Sequence, residues 1–367
     1  MNYSTLYANF LRNSKIETLC TSKGEVERFV TIDNPQGIFP TVIVTDGVSC
    51  YVQYYDYLVR FDRKGSIIWT EEIMSHMASL VSNGTVYYSN GSRVYGIDKN
   101  KAEQITPFFV PFCGGNGKLL NVVPLKNGKH LVQTYKLDQN SEPGREPENI
   151  WSLSFFDETG KNVWSNKYSD EYVPSVLTGD FSSLVLPAAS GTVYIVNPLT
   201  GKERPSFSLD ERRGIEQLCC DNNGNLIIFG RSYEGNPYVL KCDLKGNVVW
   251  EEQLASVESR GFLQPPAVDA LNRAFIIHAD SLICIGNNGE IEWTKGIVPD
   301  ADFEFVTITG DNSALVASGN IVQLIEPDGE HRFLVSLPDG ERISTPPILD
   351  VEGCVLVGTP NGVYRIK

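Results

Sequence analysis

The run LKCDLKGNVVW at residues 240–250 decides the fold: an apolar strand, a polar turn headed by an aspartate, a glycine, then a short strand reaching a tryptophan. The same order recurs three times, with a glycine in the aspartate's place in the last. Gly65-Ser66-Ile67-Ile68-Trp69 follows VRFDRK, Gly160-Lys161-Asn162-Val163-Trp164 follows SFFDET, and Gly289-Glu290-Ile291-Glu292-Trp293 follows ICIGNN. Self-similarity at a fixed spacing is the mark of a repeat architecture, and it outranks the reading of any single element.

Weaker copies fill the gaps. GKERPSF (201–207) lies midway between Trp164 and Trp250, GEHRF (329–333) follows Trp293, and GIDKNKAEQI (96–105) is a degenerate copy between Trp69 and Trp164. Residues 265–293, PPAVDALNRAFIIHADSLICIGNNGEIEW, show the whole unit: four short runs of β-branched and aromatic residues separated by Gly, Asn and Asp turns. That pattern is an antiparallel meander. Four short strands about every 40–45 residues make a propeller blade. Packing blades around an axis covers the faces that one sheet alone leaves exposed, and it shortens the free edges. A solenoid of parallel strands is the rival, but parallel pairing needs longer crossovers than these turns provide.

The last strands of the units fall at 25–31, 66–71, 103–108, 162–167, 204–209, 247–252, 290–295 and 330–336. The expectation is an all-β, eight-bladed propeller of four-stranded antiparallel blades spanning residues 24–367, preceded by an extension or partial strand at 1–23. STPPILDVEGCVLVGTPNGVYRIK at the C-terminus supplies three strands, and TSKGEVERFVTI near the N-terminus supplies the fourth. Pairing of these two ends closes the ring; KIETLC, just upstream, competes for the same place, and residues 4–14 form a short helix or an arm.

Trp69, Trp164, Trp250 and Trp293 are read as structural, each lying across a neighbouring sheet and burying a large apolar area. Stacking on one flat ligand is the alternative, and it requires the four rings to converge. Asp62, Asp157 and Asp243 accept hydrogen bonds from the amides of their own turns.

A formal charge of −14 and a pI near 4.8 repel phosphate backbones and offer no basic patch for anionic lipid, so nucleic acid is not expected as a partner. No run approaches the ~20 apolar residues of a membrane helix. The opening MNYSTLYANFLRNSK lacks the order of a secretory signal, so the expected compartment is cytoplasmic, or extracytoplasmic if a leader has been removed. Eight cysteines without C-x-x-C spacing point to packed thiols, and no metal is expected.

These repeats resemble those of the pyrroloquinoline-quinone (PQQ)-type propeller superfamily, through the blade end seen at Asp62–Trp69 and Asp243–Trp250. The superfamily holds quinoprotein dehydrogenases and also non-enzymatic members such as the outer-membrane β-barrel assembly lipoprotein. For the dehydrogenases the resemblance implies a quinone and a calcium ion over the central channel, a catalytic Asp, and often a disulfide between adjacent cysteines. Cys219-Cys220 is the one adjacent pair here. It ends the innermost strand of the fifth unit, where alternation sends neighbours to opposite faces, so two packed thiols are the expectation. No cluster matches the calcium and base motif, and the length suits the non-catalytic members better.

Propeller sites gather on the loops joining strand b to c and strand d to the next strand a. The longest departure from the repeat, LDQNSEPGREPEN (137–149), is a b–c loop of the third unit. The d–a connections include 210–215, 256–262 and 298–305, which place Arg213, Glu258, Arg260, Phe262, Asp300 and Asp302 at one mouth. An arginine among carboxylates binds polar ligands or peptide termini through charge-assisted hydrogen bonds. Phe109 and Phe112 are further apolar candidates, and His76 reaches the same mouth. No H-E-x-x-H, G-x-S-x-G or phosphate-binding loop is present. The leading expectation is a non-enzymatic, monomeric binding or scaffold propeller that takes a protein, saccharide or other extended ligand without a cofactor. The alternatives are a PQQ- and calcium-dependent dehydrogenase, with Asp300 or Asp302 near the cofactor, and a polysaccharide lyase or hydrolase.

Overall fold

The computed structural model describes residues 19–32, 37–45, 48–54, 56–73, 80–82, 85–90, 93–98, 100, 104–109, 118–124, 129–138, 148–168, 175–210, 213–255, 265–298, 304–338 and 340–367. They form eight four-stranded antiparallel sheets, the blades of a propeller. Strand β1 (Val26–Thr31) belongs to the last blade. Blade 1 is β2 (Val42–Thr45), β3 (Cys50–Gln53), β4 (Tyr57–Phe61) and β5 (Ile67–Glu72); blade 2 is β6 (Leu80–Ser82), β7 (Thr85–Asn90), β8 (Arg93–Asp98) and β9 (Gln104–Phe109). Blade 3 is β10 (Lys118–Pro124), β11 (His130–Asp138), β12 (Glu148–Phe156) and β13 (Asn162–Tyr168); blade 4 is β14 (Val176–Leu177), β15 (Leu184–Pro187), β16 (Thr192–Val196) and β17 (Glu203–Ser208). Blade 5 is β18 (Arg213–Cys220), β19 (Leu226–Ser232), β20 (Pro237–Cys242) and β21 (Val248–Gln253); blade 6 is β22 (Ala267–Val268), β23 (Ala274–His278), β24 (Ser281–Ile285) and β25 (Ile291–Gly296). Blade 7 is β26 (Glu304–Ile308), β27 (Ala314–Ser318), β28 (Ile321–Ile325) and β29 (His331–Ser336), and blade 8 is β30 (Ile348–Leu349), β31 (Val355–Thr359) and β32 (Gly362–Ile366) with β1 outermost.

The core is a set of apolar layers between successive blades, not one central cluster. Cys219, Ile227, Phe229 and Val239 of blade 5 pack on Val268, Ala274, Ile276 and Ile283 of blade 6, and equivalent layers join blades 3 to 4, 4 to 5, 6 to 7, 7 to 8, 8 to 1 and 1 to 2. Strands b and c are buried on both faces, which explains their unbroken apolar runs. Each fully buried Val, Leu, Ile or Phe contributes about 1.5–3 kcal/mol relative to exposure.

The ring closes as the sequence implies. β1 pairs with β32 from Val26↔Ile366 to Thr31↔Gly362, and the Ser22 hydroxyl donates to the Ile366 carbonyl at 2.6 Å. Leu19 and Cys20 lie outside any strand, and residues 15–18 of the competing KIETLC strand, like residues 4–14, fall outside the described residues.

A bulge recurs between strands c and d. Opposite Arg60/Phe61, Phe155/Phe156, Lys241/Cys242 and Cys284/Ile285, the residue before each repeat tryptophan is the extra one. A bulge sends two successive residues outward, so Ile67 and Ile68, or Val248 and Val249, stay exposed while the tryptophan turns toward the next blade.

Candidate functional site

In each four-stranded meander the a–b and c–d turns share one face of the propeller, and the b–c and d–a connections share the other. The first face is occupied by structural bonds. Blades 5 to 8 each carry an aspartate in the a–b turn, and each meets a cation: Asp221 with Lys241 at 2.7 Å, Asp269 with Arg273 at 2.6 Å, Asp311 with Arg332 at 2.7 Å and Asp350 with Arg365 at 2.7 Å. Three of these cations also reach the next unit round the ring. Lys241 donates to the Asn287 side chain at 2.6 Å, Arg273 to the Pro327 carbonyl at 2.8 Å, and Arg332 to the Cys20 carbonyl at 2.7 Å. A parallel relay runs closer to the axis: the Asn222 and Ala270 amides donate to the side chains of Asn272 and Asn312, each at 2.9 Å.

The c–d turns are similarly self-contained. Asp62, Asp157 and Asp243 each accept two amides of their own turn at 2.8–3.0 Å. The Ser66 amide at Asp62, the Thr159 hydroxyl at Asp157 and the Asn247 side chain at Asp243 lead in holding these carboxyls below the usual carboxylate range. Asp350, Glu352 and Cys354 bring three potential metal donors within 4.8 Å of one another. The Arg365 guanidinium already contacts both carboxylates, at 2.7 and 2.5 Å, and supplies the positive charge there.

On the opposite face, Arg213 is the first residue of β18, opposite Ser232, not part of the preceding connection. Strand a of blade 5 is eight residues long, against two in blades 4, 6 and 8, and it extends into what the repeat spacing assigns to a loop. Glu258, Arg260, Phe262, Asp300, Asp302, His76, Phe112 and the core of the 137–149 insertion lie outside the described residues; Phe109 ends β9.

The described chemistry of this face centres on that long strand. The pairing of β18 with β19 slips between Ile215 and Gln217, leaving Glu216 as the bulged residue. Ile215, Leu218 and Cys220 face blade 4, while Cys219 faces blade 6. Alternation sends Gln217 toward blade 6, and the bulge sends Glu216 the same way. There Arg231 Nε donates to Glu216 Oε1 at 3.0 Å, and Arg231 Nη1 donates to the Gly235 carbonyl at 3.2 Å. His278 of blade 6 borders the cleft, its Nε2 2.8 Å from the Ala255 carbonyl oxygen and its ring 6.1 Å from that of Phe229. Glu216 Oε2 and Gln217 Oε1 are buried acceptors with no hydrogen-bond partner among the described residues. Burial pushes the Glu216 carboxyl up, although the Arg231 guanidinium pulls it back. Beside them, in the b–c turn, the Tyr233 side chain is 88% exposed. Sequence reasoning missed Glu216, Gln217, Arg231, Tyr233 and His278. A strand-a run longer than those of its neighbours was the available signal.

A second polar cluster on this face ties the ring seam. Glu341, in the connection entering blade 8, accepts from Arg28 at 2.7 Å, Tyr364 at 2.9 Å and Asn361 at 3.2 Å, all through Oε1. Arg28 sits on the N-terminal strand and Tyr364 on the C-terminal one, so the cluster clamps the closure.

The tryptophans do not converge. Trp250 and Trp293 donate their indole N–H groups to the Asn287 and Pro327 carbonyls of the following blade, both at 3.1 Å. Trp164 lies over Gly201 of blade 4, and Trp69 lies 6.0 Å from the Tyr51 ring of its own blade.

Cys219 and Cys220 are both thiols, buried in different inter-blade layers. A disulfide cover for a quinone is therefore not built here, and in the Asp350–Glu352–Cys354 group both carboxylates are already bonded to Arg365. These described residues do not fit a quinone with calcium.

Together the eight meanders, their sequential inter-blade layers and the split closure define an eight-bladed β-propeller. No protein-family model matches the chain, and no curated protein matches its sequence. Solved structures do match its fold. BamB from Moraxella catarrhalis is 12% identical, with 93% of this chain and 97% of that one covered at a TM-score of 0.63. A europium-containing methanol dehydrogenase is 11% identical over 97% and 90%, with a TM-score of 0.67. The quinohemoprotein alcohol dehydrogenase from Comamonas testosteroni is 10% identical over 99% and 80%, with a TM-score of 0.72. At these identities the likeness is one of fold.

Proposed function

We propose that this chain is a non-catalytic binding propeller that takes a protein or other extended partner across its b–c and d–a face. One contrast carries the reading. The a–b aspartates of blades 5 to 8 are each paired with a cation, whereas among the described residues the opposite face holds buried acceptors of one strand without partners beside an exposed tyrosine. Unmet acceptors and an exposed aromatic are what a partner surface uses. Arg213, at the start of β18, and Glu258, Arg260, Phe262, Asp300 and Asp302, in the d–a connections of the repeat, belong to this proposed surface.

A photo-crosslinking residue placed at Tyr233 tests it, with Leu199 on the opposite face as control. Capture of one defined partner from position 233 and not from 199, weakened by Arg213→Glu with Arg260→Glu, is the expected result. Capture from both positions alike, or from 199 alone, refutes it. Because the fold is shared with dehydrogenases, PQQ and calcium provide the catalytic control; the expected result is no bound-cofactor spectrum and no dye-coupled alcohol oxidation.

A further inference from the structure

Where blade 5 meets blade 6, a cleft residue pair presents two acceptors that no donor of the described residues fills. Its two unmet atoms are a carboxylate oxygen of Glu216 and an amide oxygen of Gln217, brought to one side of β18 by the bulge. A buried acceptor left without a donor costs free energy, so the group that completes this cleft must bring N–H or O–H bonds. That requirement disfavours carboxylates and phosphates as the group taken. Arg231 fixes Glu216 through Oε1 alone, and its Nη1 is held by the Gly235 carbonyl, which leaves Oε2 for a second donor.

Three observations favour a charged donor over a neutral one. Burial leaves the Glu216 carboxylate short of compensation despite Arg231, and a second cation would supply it. The chain as a whole carries −14, which steers cations toward it, and the neighbouring Tyr233 ring offers an exposed π-face. We infer that this cleft takes the lysine or arginine side chain of a polypeptide partner, with Glu216 and Gln217 accepting its N–H groups and Tyr233 covering the cation. The inference rests on the b–c and d–a face being the binding face, and it names the anchor that face recognises.

Fluorescence anisotropy of the full chain with three labelled peptides, alternating Gly-Arg, Gly-Ser and Gly-Glu, tests it, with maltoheptaose as an unlabelled competitor. The Gly-Arg peptide should bind at least about tenfold more tightly than Gly-Ser, and Glu216→Gln and Tyr233→Ala should each remove about tenfold of that affinity. Glu216→Gln keeps the shape and an acceptor for Arg231, so its thermal midpoint should stay near wild type; Leu199→Ala should bind like wild type. Gly-Arg binding that survives both cleft variants marks general attraction to an acidic protein and overturns the anchor. Displacement by maltoheptaose that Glu216→Gln abolishes assigns the cleft to a saccharide instead and overturns it too. If crosslinking from position 233 succeeds while these variants bind normally, the face reading stands and the anchor alone fails.

Discussion

The indole of Trp250 rests on Gly289 of the following blade: a Cβ built on that glycine would stand 2.7 Å from Trp250 Cγ. The contact repeats as Trp293 on Gly329 and Trp164 on Gly201, and Phe207 takes the same seat on Gly246, while at Gly65 the Phe29 backbone carbonyl comes closer than its ring. The repeat glycine therefore has two duties. It supplies a left-handed turn, with φ of +92° at Gly289, and it leaves room for the preceding blade's ring.

Gly289→Ala should accordingly cost both terms, the left-handed backbone and the displaced indole, about 3 kcal/mol or more together. Gly224→Ala isolates the first term. Gly224 has φ of +81° but open space around its Cβ position, so the substitution should cost only about 1–2 kcal/mol. Urea midpoints of the two variants give the comparison, and equal losses would show that the ring is not held by the glycine.

Blade number, strand order and closure were legible because each depends on local signals repeated eight times: a turn glycine, an aromatic and alternating apolar runs. The a–b aspartates were harder to see. Their partners sit elsewhere in the same blade, as with Asp221 and Lys241, and the onward bond to Asn287 crosses to the next blade. The bulge at Glu216 was not legible at all, because a one-residue slip against β19 leaves no mark on composition or spacing. Topology indicated the face on which it lies, but the loop residues chosen there, Glu258, Arg260, Phe262, Asp300 and Asp302, fall outside the described residues. Arg213 starts β18 because strand a of blade 5 outruns the repeat.

The Asp221–Lys241 pair is buried, with side-chain exposures of 0% and 2%. Removing one member of such a pair leaves the other charge to be met locally. Without its partner, Lys241 keeps only Asn287, whereas Asp221 keeps the amides of Asn223 and Asn225 and the Asn225 side chain. Asp221→Asn should thus destabilise by about 3–5 kcal/mol and Lys241→Met by less. Chemical denaturation of the two single variants ranks them, and the reverse order would contradict this account.

His130 opens β11 with its ring 4.8 Å from that of Tyr87, and burial pushes its imidazole down to about 4. The unfolded chain takes up its proton near pH 6.5. Above that pH both states are neutral and the residue adds no pH dependence. As pH falls from about 6.5 toward 4 the unfolded state binds the proton first, so stability drops, by at most about 3 kcal/mol once both states are protonated. His331, also lowered chiefly by burial, adds in the same direction. The turn aspartates Asp62, Asp157 and Asp243 have depressed carboxyls, so the stability they add is lost only at lower pH, below about 4. Between pH 6.5 and 5, roughly, denaturation midpoints should therefore fall less steeply in His130→Phe than in wild type. Parallel slopes would mean that the imidazole is already protonated in the folded state.

Cys219 and Cys220 are neighbours in sequence but belong to separate layers, one packed toward blade 6 with Trp250, the other toward blade 4 with Val185 and Ile195. Joining them would require one side chain to leave its layer and the strand to distort. Burial also pushes the Cys220 and Cys242 thiols up, Cys242 to about 12, which removes the thiolate that exchange and alkylation need. Iodoacetamide applied to the native protein at neutral pH should leave Cys20, Cys50, Cys219, Cys220, Cys242, Cys284 and Cys354 unmodified, and the same treatment in denaturant should label all seven. Peptide mapping by mass spectrometry reads the outcome directly. A Cys219–Cys220 disulfide recovered from protein prepared under non-reducing conditions would reverse the structural assignment, and it would reopen the cofactor-covering role that the PQQ-like resemblance implies for adjacent cysteines.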